Sequence, residues 1–180
     1  MVYKQACKWL VVEWSKLTPE KLSDAKNPNV SQVHAISAAL KPLIKWECMK
    51  LLQECREACG GHGYSQFARF GLWRDDYDVN LTWEGDNNVL IQQTTRWFLT
   101  AYQKGNFSKY DALKTFEQQP NEKFARSNLL DALKWKVFSI LEESVGAIGK
   151  EGITAWNDLQ AICLRKLSLS LGEYFSALRM

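Results

Sequence analysis

The chain has 180 residues, of which 46% are hydrophobic and 24% charged, and its net charge is +3. That balance is globular rather than disordered, and so small a positive charge, with no Lys/Arg cluster, gives no case for a nucleic-acid partner. The longest apolar run near the amino terminus is Trp9–Val12, too short for a signal peptide, and no window approaches a membrane span, so the sequence argues against secretion and membrane insertion.

Eight Trp, eight Phe and six Tyr supply a core, while only four Pro and ten Gly favour long helices over many tight turns. The cysteines, Cys7, Cys48, Cys55, Cys59 and Cys163, are odd in number and read as reduced thiols in a reducing compartment.

Taken along the chain, Tyr3, Ala6, Cys7, Leu10, Trp14 and Leu17 recur at helical spacing. Residues 18–30 are polar, carry two prolines and read as a loop. Ser31 is placed to cap a long helix to about Cys59, with Ile36, Leu40, Leu43, Leu51, Leu52, Cys55 and Cys59 on one face. Pro42 predicts a kink in it and Gly60-Gly61 its end. Residues 60–85 hold no period and read as an irregular loop, a class that is often functional.

From Asp86 the helical period returns through Leu90, Thr94, Trp97, Phe98 and Ala101. Residues 103–121 are polar and read as a linker. One further helix uses Phe124, Leu130, Leu133, Val137, Leu141, Val145 and Ile148. After Gly149 and Gly152 another uses Trp156, Leu159, Cys163, Leu167, Leu171, Tyr174 and Leu178. No strand-like alternation stands out, so the expectation is an all-α protein. Its expected units are 1–102, with a catalytic loop at 60–85, and 122–180, joined by the linker. The uncapped start and the unfinished last pattern lead us to expect a part of something longer.

Two short stretches could carry chemistry. Gly60-Gly61-His62-Gly63-Tyr64 would let backbone approach a flat or phosphorylated ligand, or would simply be a helix cap and turn. In Trp83-Glu84-Gly85-Asp86-Asn87-Asn88, Asp86 or Asn87 can cap the following helix. Glu84 sits just before it, beside an aromatic residue. A carboxylate enclosed by such a wall would have its pKa raised and would suit a general base; taken by itself it could equally be an exposed loop residue. Cys48, Cys55, Cys59 and His62 have spacings that zinc could use, but no CxxC pair and no second ligand cluster accompanies them, so no metal is expected. Arg74, Asp75, Asp76 and Asp78 read as ion pairing in a solvated loop.

At these stretches the chain resembles the acyl-CoA oxidases and, more distantly, the acyl-CoA dehydrogenases. CREACGGHGY at 55–64 looks like the oxidase signature, and RDDYDVNLTWEGDNNVLIQQT at 74–94 like the block after it. Residues 125–180 resemble the extra carboxy-terminal helical domain of the oxidases, and the RDD and EGDNN wording looks closest to the branched-chain type. The resemblance implies a helical-bundle domain and part of a second helical domain, from an enzyme whose amino-terminal helical and β domains lie outside this chain. It implies FAD as cofactor, a fatty acyl-CoA substrate, a homodimer and a peroxisomal location.

Position by position, Glu84 matches the family's catalytic carboxylate. Gly60 and Gly61 match a glycine pair lying against flavin, often that of the neighbouring subunit. Asp86 and Asn88 match cofactor contacts, and Tyr64 and Gly85 positions lining the acyl pocket. Glu57 stands where many dehydrogenases place a flavin-contacting Gln, and Trp83 where Tyr or Phe is usual, which bears on pocket width.

The chemistry implied is removal of the α-proton by Glu84 and passage of the β-hydride to flavin, giving a trans-2-enoyl-CoA, after which O2 is reduced to H2O2. An acyl-CoA dehydrogenase and a non-catalytic helical binding module are the rival readings. Residues 120–180 speak against the first, since a dehydrogenase normally ends soon after the helix at 86–102, and the intact Glu84 and glycine block against the second. The 180 residues alone are expected to fold as helices without oxidising acyl-CoA. The chain ends Ala-Leu-Arg-Met, not the peroxisomal Ser-Lys-Leu tail, so the location rests on the resemblance.

Overall fold

Asn27-Pro28 is the strongest helix-start signal in the first third of the chain, and the longest helix begins there. Proline at the first helical position gives up an N–H that would have no intrahelical partner anyway. The Asn27 side chain accepts from Asn29 N at 3.0 Å. Ser31, the expected cap, lies one turn inside, and its hydroxyl donates to Pro28 O at 3.0 Å.

The computed structural model describes residues 2–24, 27–118, 128–151, 156–157 and 159–180. Its helices are α1 Val2–Ser15, α2 Pro19–Ser23, α3 Pro28–Ala58, α4 Gly60–Tyr64, α5 Phe70–Asp78, α6 Asn87–Gln103, α7 Leu129–Glu151 and α8 Arg165–Leu178. No strand occurs among the described residues, in keeping with the all-α expectation. Helix α3 is continuous across the buried Pro42 and ends before Gly60, whose φ of 56° is the left-handed conformation that closes helices.

Residues 18–30 are not wholly a loop, since α2 and the first residues of α3 fall within them. Three larger expectations also need correction. Residues 60–85 are not irregular: α4, a 3₁₀ turn at Gln66–Ala68, α5 and a second 3₁₀ turn at Val79–Leu81 fill most of the segment. Elements this short show no amphipathic period. Their ends are set by local devices, such as the Ser65 hydroxyl accepting from Phe67 N and a left-handed Arg69 at φ 59°.

Second, residues 103–118 do not behave as a linker. They form 3₁₀ turns at Phe107–Lys109 and Lys114–Glu117 and place Phe107, Ala112, Leu113 and Phe116 in the core. Widely spaced apolar residues in polar sequence hid this, because no regular element repeats them. Residues 119–121 of the expected linker, together with Phe124 and Gly152, lie outside the described residues.

Third, the apolar face expected along all of α3 is buried only in its first half, from Gln32 to Leu43; Leu51, Cys55 and Cys59 are exposed and Cys48 half-buried.

The main core joins α6, segment 103–118, α7 and α8 around Phe98, Phe116, Val137, Leu141, Leu167 and Leu171. Phe116 is its hub, with ring centroids 5.4 Å from Phe98, 5.4 Å from Phe138 and 4.8 Å from Tyr174. A second cluster of Ala6, Ile36, Leu40, Ala112 and Phe175 ties α1 and α3 to α8.

Buried polar groups stitch the helices. Thr94 Oγ1 donates to Ala35 O at 2.9 Å, Thr95 Oγ1 shares its proton between Ile91 O and Leu164 O, and Ala112 N donates to Gln32 Oε1 at 2.9 Å. The Thr94 contact fixes α3 against α6, and that pairing positions the turn between α5 and α6.

Candidate active site

The turn Thr82–Asp86 is organised from both ends. At its carboxy end Asp86 caps α6, its carboxylate accepting from Asn88 N at 2.8 Å. A carboxylate there also meets the positive end of the helix dipole. At its amino end Asn80 Oδ1 accepts from Trp83 Nε1 at 3.2 Å and from Lys45 Nζ at 3.0 Å, while Asn80 Nδ2 donates to Tyr77 O.

Between these anchors the backbone turns sharply. Gly85 has φ 100°, a conformation that favours glycine, and a Cβ there would lie 3.0 Å from Leu90 Cδ2, so the Leu90 side chain would have to give way. Glu84 has φ 58°; Arg69 is the other non-glycine residue with positive φ among those described. Left-handed backbone costs an ordinary L-residue about 1–2 kcal/mol and persists where the surroundings dictate it.

The turn is also contacted from α3. Lys41 Nζ donates to Gly85 O at 2.8 Å and to Asn87 Oδ1 at 2.7 Å, spanning the turn from outside it. Burial pulls the Lys41 ammonium below the ordinary lysine pKa, against the Asp86 and Glu84 carboxylates, which raise it. One turn further along α3, Lys45 also lies over the Tyr77 ring, 5.4 Å from its centroid. Burial, followed by a hydrogen bond with Cys48, pushes the Tyr77 phenol above its usual range.

The sequence reading missed Lys41, Lys45 and Asn80. The available signal was a pair of lysines at i and i+4, flanking Pro42, in the part of α3 that is otherwise apolar.

Glu84 stands exposed at the tip of this frame. The enclosing wall expected around it is not formed by the described residues: Trp83 is 53% exposed, its indole tied sideways to Asn80. Asp86 is half-buried, and Gly85 and Asn88 are exposed. Asn88 also lines an open cavity of about 250 Å³ with Ile91, Gln92, Gln160 and Arg165.

The second group of expected site residues lies elsewhere. Gly60, Gly61 and Tyr64 form α4 at the carboxy end of α3, with Tyr64 85% exposed. From Lys41, beside the turn, to Ala58, beside α4, the helix rises by about 25 Å at ~1.5 Å per residue. The structure therefore gathers Glu84, Gly85, Asp86 and Asn88 in one place and Gly60, Gly61 and Tyr64 in another.

An added Cβ at Gly60 or Gly61 would meet nothing within 4 Å, so their backbone is uncovered. At Gly63 it would fall 2.0 Å from Arg56 O, making that glycine a packing requirement. Among the described residues no three His, Cys, Asp or Glu side chains group as a metal site.

Residues 2–99 match the family model described as acyl-CoA oxidase, C-alpha1 domain. The human peroxisomal acyl-coenzyme A oxidase 3 is 36% identical over 148 residues, covering 72% of this chain and 21% of that protein. Acyl-coenzyme A oxidase 2, peroxisomal, of Arabidopsis thaliana is 36% identical over 182 residues, covering 86% and 26%. In fold, the chain superposes on the Caenorhabditis elegans acyl-CoA oxidase-1, crystallised with FAD and ATP, with a TM-score of 0.82 at 16% identity, over 99% of this chain and 29% of that one. The chain belongs to the acyl-CoA oxidase family. It spans between 21% and 29% of the length of these three relatives.

Proposed function

We propose that this chain is a carboxy-terminal part of a flavin-dependent acyl-CoA oxidase in which Glu84 removes the substrate's α-proton. The reaction is conversion of a fatty acyl-CoA to the trans-2-enoyl-CoA with reduction of O2 to H2O2, in peroxisomal fatty-acid β-oxidation. The observation that carries the assignment is the backbone of Glu84, a non-glycine residue at φ 58° on an exposed turn held from α3. Strain of this kind concentrates where a side chain must be presented in one direction. The branched-chain assignment is part of the proposal and rests on the RDD and EGDNN wording.

The α-proton of a thioester is weakly acidic, so a base must be held against it. Ionised Glu84 only accepts, and its place at the turn tip leaves its approach to a substrate open. Gly85, exposed beside Glu84, would line the acyl pocket there, and Tyr64 would line it from the separate surface at α4. Bound FAD would supply the hydride acceptor and the electrons for O2.

The residues present fit that cofactor in two patches. The uncovered backbone of Gly60 and Gly61 would lie against flavin, and Asp86 and Asn88 would make contacts beside Glu84. Because the patches lie apart, one in α4 and the other at the start of α6, the reading calls for a homodimer in which the glycine pair meets the neighbouring subunit's flavin. Exposed Tyr64, Phe67, Trp73 and Trp83 support burial of these surfaces against other protein. The isolated chain would accordingly be helical, colourless and inactive.

The test is Glu84→Gln in the full-length protein that carries this chain. FAD content should stay at the wild-type level, and peroxide formation from an acyl-CoA should fall by about 10²–10⁴-fold, the range for one general base. Peroxide formation within tenfold of wild type would remove Glu84 from the role. Wild-type turnover that requires an electron-accepting protein and yields no peroxide would favour a dehydrogenase.

A further inference from the structure

We infer that Lys41 is the positioning residue of this site: its ammonium group holds the Trp83–Asn87 turn in the geometry that presents Glu84. The inference rests on the reading of Glu84 as the base, and deepens it.

Three observations converge on Lys41. Its Nζ donates to Gly85 O at 2.8 Å, the carbonyl immediately after Glu84, and to Asn87 Oδ1 at 2.7 Å, the first residue of α6. One cation thereby ties the two sides of a turn whose consecutive residues, Glu84 and Gly85, both have positive φ. Second, Asn87 is 1% exposed, and its Nδ2 has no hydrogen-bond partner. Lys41 satisfies its Oδ1; without Lys41 the buried amide would have neither polar atom satisfied, and the turn would have to open to admit water. Third, Lys41 sits on the half of α3 that is locked into the core, between buried Leu40 and Pro42, so its stem starts from a rigid platform.

The ammonium also lies close enough to the Asp86 and Glu84 carboxylates for their charges to act on it. Its hydrogen bonds, however, go to the turn's frame and not to the carboxylate of Glu84. Lys41 therefore acts through the backbone, leaving Glu84 free to accept a proton.

The experiment uses the full-length protein carrying this chain, with Lys41→Met, Lys41→Arg and Glu84→Gln made in parallel. Lys41→Met should lower kcat by about 10–100-fold, as expected when a base is misplaced by about 1 Å, with KM and FAD content near wild type. Lys41→Arg, which keeps the charge and can still donate to both acceptors, should recover kcat to within about threefold. Hydrogen exchange of the peptide covering 82–88 should quicken by about tenfold or more in Lys41→Met, the consequence of losing a charge-assisted hydrogen bond, while the 32–43 segment of α3 stays protected.

Wild-type kcat and unchanged exchange at 82–88 in Lys41→Met would overturn the inference, as would a kcat in Lys41→Arg as low as in Lys41→Met. If Lys41→Met does not fold, Lys41→Gln, which is shorter and uncharged but keeps an N–H donor group, should show an intermediate kcat; a wild-type kcat there would overturn the inference too. Failure of the underlying reading looks different: Glu84→Gln would stay active whatever Lys41 does.

Discussion

Leu40 and Leu51 lie on the same helix and look alike in the sequence, yet Leu40 is 2% exposed and Leu51 53%. The buried residues of α3 are confined to Gln32–Leu43, where Ala35, Ile36, Ala39 and Leu40 meet α1, α6 and α8; the carboxy half also meets α8, with Arg165 over Trp46, but leads into α4 and has no fully buried residue. One half serves as foundation and the other as a surface. The candidate base belongs to the boundary between them. Lys41 and Lys45 rise from the end of the foundation and hold a turn that stands in solvent. A strained, exposed residue can be kept in place only if what holds it is itself immobile.

The comparison can be broken most directly by making one substitution in both halves. Leu40→Ala should cost about 2–5 kcal/mol of unfolding free energy in this chain, the range for a buried leucine. Leu51→Ala should stay within about 0.5 kcal/mol of wild type, as exposed positions do. Denaturant unfolding followed by circular dichroism gives both values, and equal losses would erase the distinction between the halves.

The foundation should also have an alkaline limit. Burial pushes the phenol of Tyr174, 3% exposed, above its ordinary value of 10.0, opposed by its 2.8 Å hydrogen bond with Thr115. The unfolded chain then loses this proton at a lower pH than the folded chain does. The Tyr174 contribution to stability is therefore complete below pH 10 and declines as pH rises through the raised folded pKa. Unfolding midpoints measured between pH 8 and 11 should decline at the alkaline end in wild type, and less steeply in Tyr174→Phe.

The smallest effect is expected at the turn itself and carries the opposite sign. Glu84→Gly removes a left-handed cost of about 1–2 kcal/mol, partly offset by about 0.5–1 kcal/mol of added freedom in the unfolded chain. A net gain of about 0.5 kcal/mol would raise the melting temperature by ~1–2 °C for a chain of this size. A destabilised Glu84→Gly would mean that the turn is not strained by Glu84.

How much of this could be read from the sequence differs by region for physical reasons. The long helices were legible because Phe98, Leu141, Leu167 and Leu171 repeat at helical spacing and are in fact buried. Asp86 was recognisable as a cap because its carboxylate acts on a backbone N–H two residues away, a local interaction. The core role of Phe107 and Phe116 was not legible, since the turns that carry them have no repeat and only their distant partners Phe138 and Tyr174 explain them.

The site divides in the same way. The Trp83–Asn88 stretch stood out by its residues, while its support by Lys41 spans 44 positions of sequence and depends on how α3 packs on α6. The separation of Gly60, Gly61 and Tyr64 from Glu84 was hidden for the same reason: nearness in sequence says nothing about a helix that must rise by about 25 Å between them.

The measurement that bears most directly on Glu84 is exchange of the α-proton itself. In the full-length protein that carries this chain, an acyl-CoA incubated anaerobically in D2O should exchange its α-hydrogen at a rate readable by mass spectrometry. With Glu84 as the base, Glu84→Gln should slow that exchange by about a hundredfold or more at unchanged FAD content. Exchange in Glu84→Gln within tenfold of wild type would show that another group takes the proton.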